Sequence, residues 1–136
     1  MATMQAKQSR PARLATLKRR PEFLRVRKGA RWATPTFVLE ARRRGDGSLA
    51  GAARFGFTVS KQVGGAVERN RMRRRLKAAV RDVLHEHAQR DFDYVLIARR
   101  PALDSVFATL VTDLAKALER VHAVPGQGQQ GRAARK

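Results

Sequence analysis

VERNRMRRRLKAAVR, residues 67 to 81, places six basic side chains and no acid within the nine positions from Arg69 to Lys77, then runs into an apolar periodicity. Met72, Leu76, Ala79, Val80, Val83 and Leu84 fall at i, i+4, i+7, i+8, i+11 and i+12. That spacing predicts a helix of about five turns with one buried stripe spanning an arc of about 140°. Arg71, Arg74, Arg75, Lys77 and Arg81 point away from the stripe, Arg73 lies at its border, and Arg69 would fall on the apolar side. Arg69 and Asn70 are therefore expected in the turn leading into the helix.

A solvated helix face normally mixes signs in i,i+4 pairs. Here Glu68 is the only nearby acid until Asp82, so part of the counter-charge must come from outside. Phosphate backbone suits it, because guanidinium forks bind phosphate bidentately and a helix N-terminus adds partial positive charge. The whole chain points the same way: 136 residues carry a net charge of +19, and self-repulsion of that size is tolerated when the partner is a polyanion. A basic coat kept for solubility and an anionic membrane surface are weaker readings, since acids serve solubility better and no interfacial amphipathic helix flanks the basic stretches.

Hydrophobic residues at 43% suffice for one domain with a modest core. Cysteine is absent, which excludes disulfides and thiolate zinc sites and allows a reducing compartment. No apolar run approaches the roughly 20 residues that cross a bilayer. The Arg-rich, acid-free N-terminus has a transit-peptide composition, but the residues after it read as part of the fold. Residues 1–15 and 123–136 are expected to be polar, disordered tails around a domain at 16–122.

Working outward from the helix, RPEFLRVRKG places Pro21 at a first helical position and Gly29 beyond the end of a short helix with Phe23, Val26 and Leu24 inward. TFVLEA and ARFGFTVS read as strands joined into a hairpin through a turn at Asp46-Gly47. DYVLIA has the length and continuity of a buried strand. Phe107, Leu110, Val111, Leu114, Leu118 and Val121 repeat at helical spacing behind a cap at Asp104 or Ser105. The order α-β-β-α-β-α is that of an α+β or α/β sandwich, one small sheet packed with helices.

Before the basic helix, GFTVSKQVGGAVERN adds Lys61 at a strand end and Gly64-Gly65 in a connection, so that cation and helix can converge on one anionic site. It is not a phosphate-binding P-loop, whose second glycine and Lys-Ser/Thr are missing. A DNA recognition helix is disfavoured, because the basic face lacks the Asn, Gln and Ser suited to base edges. His85 and His87 stand i,i+2 and do not face each other. Asp91 and Asp93 bracket Phe92, but no third acid suggests the metal site of a protein nuclease, and a turn or cap is the plainer reading. Arg42, Arg43 and Arg44 read as a basic hairpin flank, Arg99 and Arg100 as a basic strand end. Trp32 and Phe37 either stack on bases or pack.

The ordered set of VSK, AVERNR with its Arg69-Asn70-Arg71 triplet, the basic run and IARRPA resembles the bacterial ribonuclease P protein subunit over roughly residues 17 to 121. The resemblance implies a cytoplasmic α+β protein with a left-handed βαβ crossover, against the right-handed default. It implies a subunit that binds a catalytic RNA and helps remove the 5′ leader from precursor tRNA, the RNA performing the hydrolysis with Mg2+ and the protein supplying no catalytic residue, no metal ligand and no membrane contact. Lys61, Arg69, Asn70, Arg71, Arg73, Arg74, Arg75 and Lys77 would face the catalytic RNA; Phe23, Arg27 and Glu40 would line a cleft for the single-stranded leader. A ribosomal-type or general RNA-binding module without an enzyme partner is the alternative. Three positions depart from the family pattern: Gln62 replaces a second lysine after Lys61, and Arg27 and Glu40 stand where relatives place leader-stacking aromatics, so base stacking is in doubt at both.

Overall fold

The computed structural model describes residues 14–44 and 53–123, apart from the side chain of His85. In chain order these form β1 (Ala15–Thr16), α1 (Arg20–Val26), β2 (Ala30–Ala33), β3 (Phe37–Arg43), β4 (Arg54–Thr58), α2 (Ala66–His87), β5 (Phe92–Ala98), a 3-10 turn (Arg100–Leu103) and α3 (Phe107–Ala123). Within one five-stranded sheet the order is β1-β4-β5-β3-β2. β5 is central, pairing parallel with β4 and antiparallel with β3.

This placement corrects the expected hairpin. β3 and β4 do not pair with each other; β5 lies between them, and α2 is the crossover from β4 to its parallel neighbour β5. Asp46-Gly47 lies outside the described residues. The hairpin is instead β2–β3, with Trp32 opposite Leu39 and Arg31 opposite Glu40. Its turn has no Gly or Asn: the Thr34 hydroxyl accepts from the Thr36 and Phe37 amides at 3.2 and 3.0 Å and donates to the Phe37 carbonyl at 2.9 Å. A Thr-centred turn performs the role that Gly-containing dipeptides usually signal, which is why β2 was not legible. β1 begins at Ala15 and α3 ends at Ala123, each inside an expected tail; residues 1–13 and 124–136 lie outside the described residues.

All six stripe residues of α2 are buried, against Phe37, Leu39, Phe55, Tyr94 and Leu96 from the sheet and Leu110, Leu114, Leu118 and Val121 from α3. Phe37 is core, while Trp32 is half-buried at the sheet edge with the Arg120 guanidinium 5.4 Å from its ring centre. α2 starts earlier than expected, so Arg69 and Asn70 belong to its first turns. Gly65 is the N-cap residue, and its amide donates to Glu68 Oε1 at 2.9 Å. Arg69 escapes the apolar side by folding back, its Nε donating to the Gly64 carbonyl at 3.2 Å. Neither candidate caps α3 through its side chain; the Ser105 hydroxyl donates to the Pro101 carbonyl at 3.1 Å, and the Thr109 amide reaches the Val106 carbonyl at 2.9 Å. The far ends of α3 and β5 are tied by Tyr94. Its oxygen accepts from the Gln89 amide at 2.8 Å and shares a hydrogen bond with His122 Nε2 at 2.6 Å, the imidazole tautomer setting which of the two donates. Burial raises the Tyr94 pKa and lowers that of His122, keeping both neutral.

On the opposite sheet face lies α1. Val26 is fully buried with Leu17 and Val95, while Leu24, expected inward, is largely exposed. Two glycines allow the close approach. A β-carbon at Gly29 would stand 2.0 Å from the Ala41 carbonyl oxygen, and one at Gly56 2.5 Å from the Phe23 ring. Gly29 is therefore required by the close packing of the chain after α1 against β3.

Beneath α1 is a buried carboxylate, Asp93 of β5, 1% exposed. Arg54 of β4 grips it with Nε and Nη2 at 2.8 and 2.7 Å, Arg44 after β3 donates at 2.8 Å, and Arg25 of α1 stands at 3.6 Å. Arg25 also donates to the Arg43 and Arg44 carbonyls. Arg42-Arg43-Arg44 is thus not a free basic flank: Arg42 bonds the Arg25 carbonyl, Arg43 pairs with Asp91 at 3.4 Å, and Arg44 is buried. Burial alone would raise the Asp93 pKa, but hydrogen bonds and charge from Arg54 and Arg44 outweigh it and hold the carboxyl below its usual value. A carboxyl with a depressed folded pKa contributes stability that is fully present above about pH 4 and is lost as the pH falls. Asp93→Asn is therefore expected to cost about 3 kcal/mol at pH 7. In urea unfolding the difference from the parent chain should shrink toward pH 3.

Candidate RNA-binding surfaces

The two sheet faces present different chemistry. On the α1 face the registers align three rows: Arg54, Asp93 and Arg42; then Gly56, Val95, Glu40 and Arg31; then Thr58, Ile97, Val38 and Ala33. α1 covers the first two, with Phe23 seated on Gly56, Val26 on Val95 and Arg25 over Asp93. The third row is only half-buried, so beside α1 the sheet keeps a strip, the trough, that is partly open to solvent. Phe23 is half-buried at that border and Arg27, the C-cap residue of α1, is exposed. Glu40 is different: it is 2% exposed, its Oε2 accepting from Arg31 Nη1 at 3.1 Å. Burial raises the Glu40 pKa, against the opposing charges of Arg31 and Arg27. Neither arginine of α1's last turn bonds Glu40: Arg25 is committed to Asp93 and Arg27 acts only through its charge. Arg31, which no motif singled out, makes the bond.

Away from the sheet, α2 exposes Asn70, Arg71, Arg74 and Arg81 fully and Arg69, Arg73, Arg75 and Lys77 in part, with Lys61 exposed in the turn before it. The stripe fixes this orientation, because burying it forces positions 100° to 260° away into solvent. Among the described residues no ion pair uses any of these cations. Glu68, the acid within the cluster, is turned back on the Gly65 amide. The members are not equivalent. Lys77 lies 6.0 Å from the Phe57 ring centre, a cation–π contact at the rim of the core. Arg75 reaches across to the Ser105 carbonyl, and its Nε is buried without a partner, so it braces α2 against the segment before α3. Arg100 similarly donates to the Val63 carbonyl at 3.2 Å and Arg99 to the Thr34 carbonyl at 3.0 Å.

Among the described residues no group of three or more His, Asp or Glu could hold a metal ion, and no helix is long and apolar enough to cross a membrane. Asp91, with a backbone φ of 68°, occupies the turn into β5, and Asp93 is taken by arginines. The His87 imidazole lies 3.7 Å from Glu119.

A small α+β domain with a helix of unpaired arginines and a trough on the opposite sheet face belongs to the class of polyanion-binding proteins that recognise phosphate backbone. The particular family follows from comparison. The Ribonuclease P family model matches residues 12–122, and the chain belongs to that family. The ribonuclease P protein component of Paramagnetospirillum magneticum is 47% identical over 115 residues, 83% of this chain and 86% of the relative. That of Gluconacetobacter diazotrophicus is 47% identical over 105 residues, 76% and 88% of the two chains. The RNase P protein of Staphylococcus aureus superposes with a TM-score of 0.67 at 27% identity, over 81% of this chain and 97% of that one. The Thermotoga maritima protein gives 0.66 at 25%, over 77% and 96%.

The two kinds of arginine on α2 separate experimentally. Arg75→Ala should destabilise the fold by about 1 kcal/mol through the lost carbonyl bond. Arg74→Ala, with no partner to lose among the described residues, should stay within about 0.5 kcal/mol of the parent in the same denaturation assay.

Proposed function

We propose that the chain is the protein subunit of ribonuclease P, binding the catalytic RNA through α2 and holding the 5′ leader of precursor tRNA in the trough beside α1. In this role it assists endonucleolytic removal of the leader to give the mature tRNA 5′ end. The observation that carries the reading is the set of α2 cations left unpaired in a chain of the ribonuclease P family. Lys61, Asn70, Arg71, Arg73 and Arg74 meet the RNA directly, while Arg69, Arg75 and Lys77 combine that role with the local contacts described above. The trough suits a single strand, since its apolar floor of Val38 and Ile97 accommodates bases or riboses while Phe23 and Arg27 border it.

Hydrolysis we assign to the RNA subunit with Mg2+. Among the described residues no cluster of carboxylates fits a metal site: Asp91 and Asp93 are engaged by arginines, and Glu40 by Arg31. The protein contributes affinity and position, which suits a cytoplasmic ribonucleoprotein.

Precursor-tRNA cleavage at low Mg2+ tests the assignment with three samples: the protein, a bacterial ribonuclease P RNA, and both together. Accurate cleavage strong only in the mixture is expected. An RNA activity that the protein leaves unchanged would point to a general RNA-binding module, and cutting by the protein alone would place catalysis on its side chains. For the α2 surface, Arg71→Ala/Arg74→Ala is expected to weaken assembly with the RNA. It should also flatten the plot of log affinity against log salt by roughly 1.4 to 1.8, the share of two phosphate contacts. An unchanged slope in filter binding would remove these arginines from the interface.

A further inference from the structure

The Glu40–Arg31 pair is not explained by folding. Asp93 has three guanidinium groups around it, whereas Glu40, equally buried, has one hydrogen-bond partner, and the Arg31 side chain is 49% exposed. A buried carboxylate with a single partner open to water recovers little of its desolvation cost, and an apolar residue of similar volume serves folding as well or better. What the pair does achieve is placement. Glu40 and Arg31 are directly opposed across β3 and β2 in the middle row of the α1 face, next to the open row of Ala33 and Val38. Bonding through Nη1 anchors the Arg31 guanidinium; its Nε and Nη2 make no hydrogen bond among the described residues. Arg27, in the short link from α1 to β2, also acts on Glu40 through its charge, so a second cation belongs to the surroundings of the pair.

We infer that Arg31, held by Glu40 and neighboured by Arg27, is a phosphate-binding residue for the precursor leader, and that Glu40 is its positioning residue. This rests on the reading of the trough as the leader site. A guanidinium already fixed through one nitrogen loses little conformational freedom on engaging a phosphate with the others. The carboxylate beneath it is covered and paired, so a phosphate approaching the trough meets the cation first.

The test uses holoenzyme reconstituted with a bacterial ribonuclease P RNA and measures affinity for a precursor with a leader of about eight nucleotides and for the matching mature tRNA. Arg31→Ala should weaken precursor binding about tenfold, the share of one charge-assisted contact, and leave mature tRNA unchanged. Arg31→Lys should not restore it, since an ammonium cannot bond Glu40 and a phosphate along one planar fork. Glu40→Ala is the decisive variant. It removes a negative charge from the trough, so diffuse electrostatics predicts tighter precursor binding, whereas positioning predicts weaker. Glu40→Gln, whose amide oxygen can still accept from Arg31, should stay close to the parent. Tighter binding by Glu40→Ala, or an Arg31→Ala loss equal for precursor and mature tRNA, overturns the inference while leaving the leader reading intact. A parent holoenzyme with no preference for precursor over mature tRNA overturns both.

Discussion

Asp93 is the junction on which the α1 side of the molecule depends. It sits on the central strand, and the arginines that reach it come from α1, from the end of β3 and from β4. Those elements lie far apart in sequence, and none has an apolar residue at that point that could do the joining. Repulsion among cations is the general hazard of a chain with net charge +19. Here three of them are gathered around one buried anion, and one of their nitrogens, Arg25 Nη2, bonds two backbone carbonyls at the end of β3 as well. The network is geometrically demanding, because a carboxylate so buried is tolerated only while its partners stay in place.

From this follows a division of labour among the arginines. Arg25, Arg31, Arg42, Arg43, Arg44 and Arg54 have intramolecular partners on the α1 face or at its edge. Arg71 and Arg74 of α2 form no ion pair among the described residues. The acids of the chain are few, and those with ion pairs are mostly spent on the sheet: Asp91, Asp93, Glu40 and Glu22. Glu68, near the α2 cluster, is used to cap the helix. Among the described residues no acid forms an ion pair with the α2 cations, and that leaves the helix face its electrostatic demand for RNA.

Position completes the arrangement. Burying the α2 stripe on one sheet face turns the cations outward, while α1 crosses the other face and leaves its third row open. Gly56 makes that possible, since any β-carbon there would displace the Phe23 ring and lift α1 from the sheet.

The sequence by itself determined the α2 helix and its buried stripe, the buried β5 strand, the α3 stripe and the basic character of the exposed α2 face. These are local properties: a 3.6-residue period or an apolar run states which side faces inward whatever the neighbours are. The motif set also sufficed to suggest the family. What only the tertiary structure decided is strand order and the fate of individual charges. β3 and β4 carry strand signals that suit a hairpin, and only β5, arriving after a 22-residue helix, separates them. Arg44 and Arg74 look alike in a sequence rich in arginine, yet one is buried against Asp93 and the other is exposed and forms no ion pair among the described residues. Whether a cation is spent or free depends on which carboxylate the fold brings within about 3 Å, and that is a long-range contact no local pattern encodes.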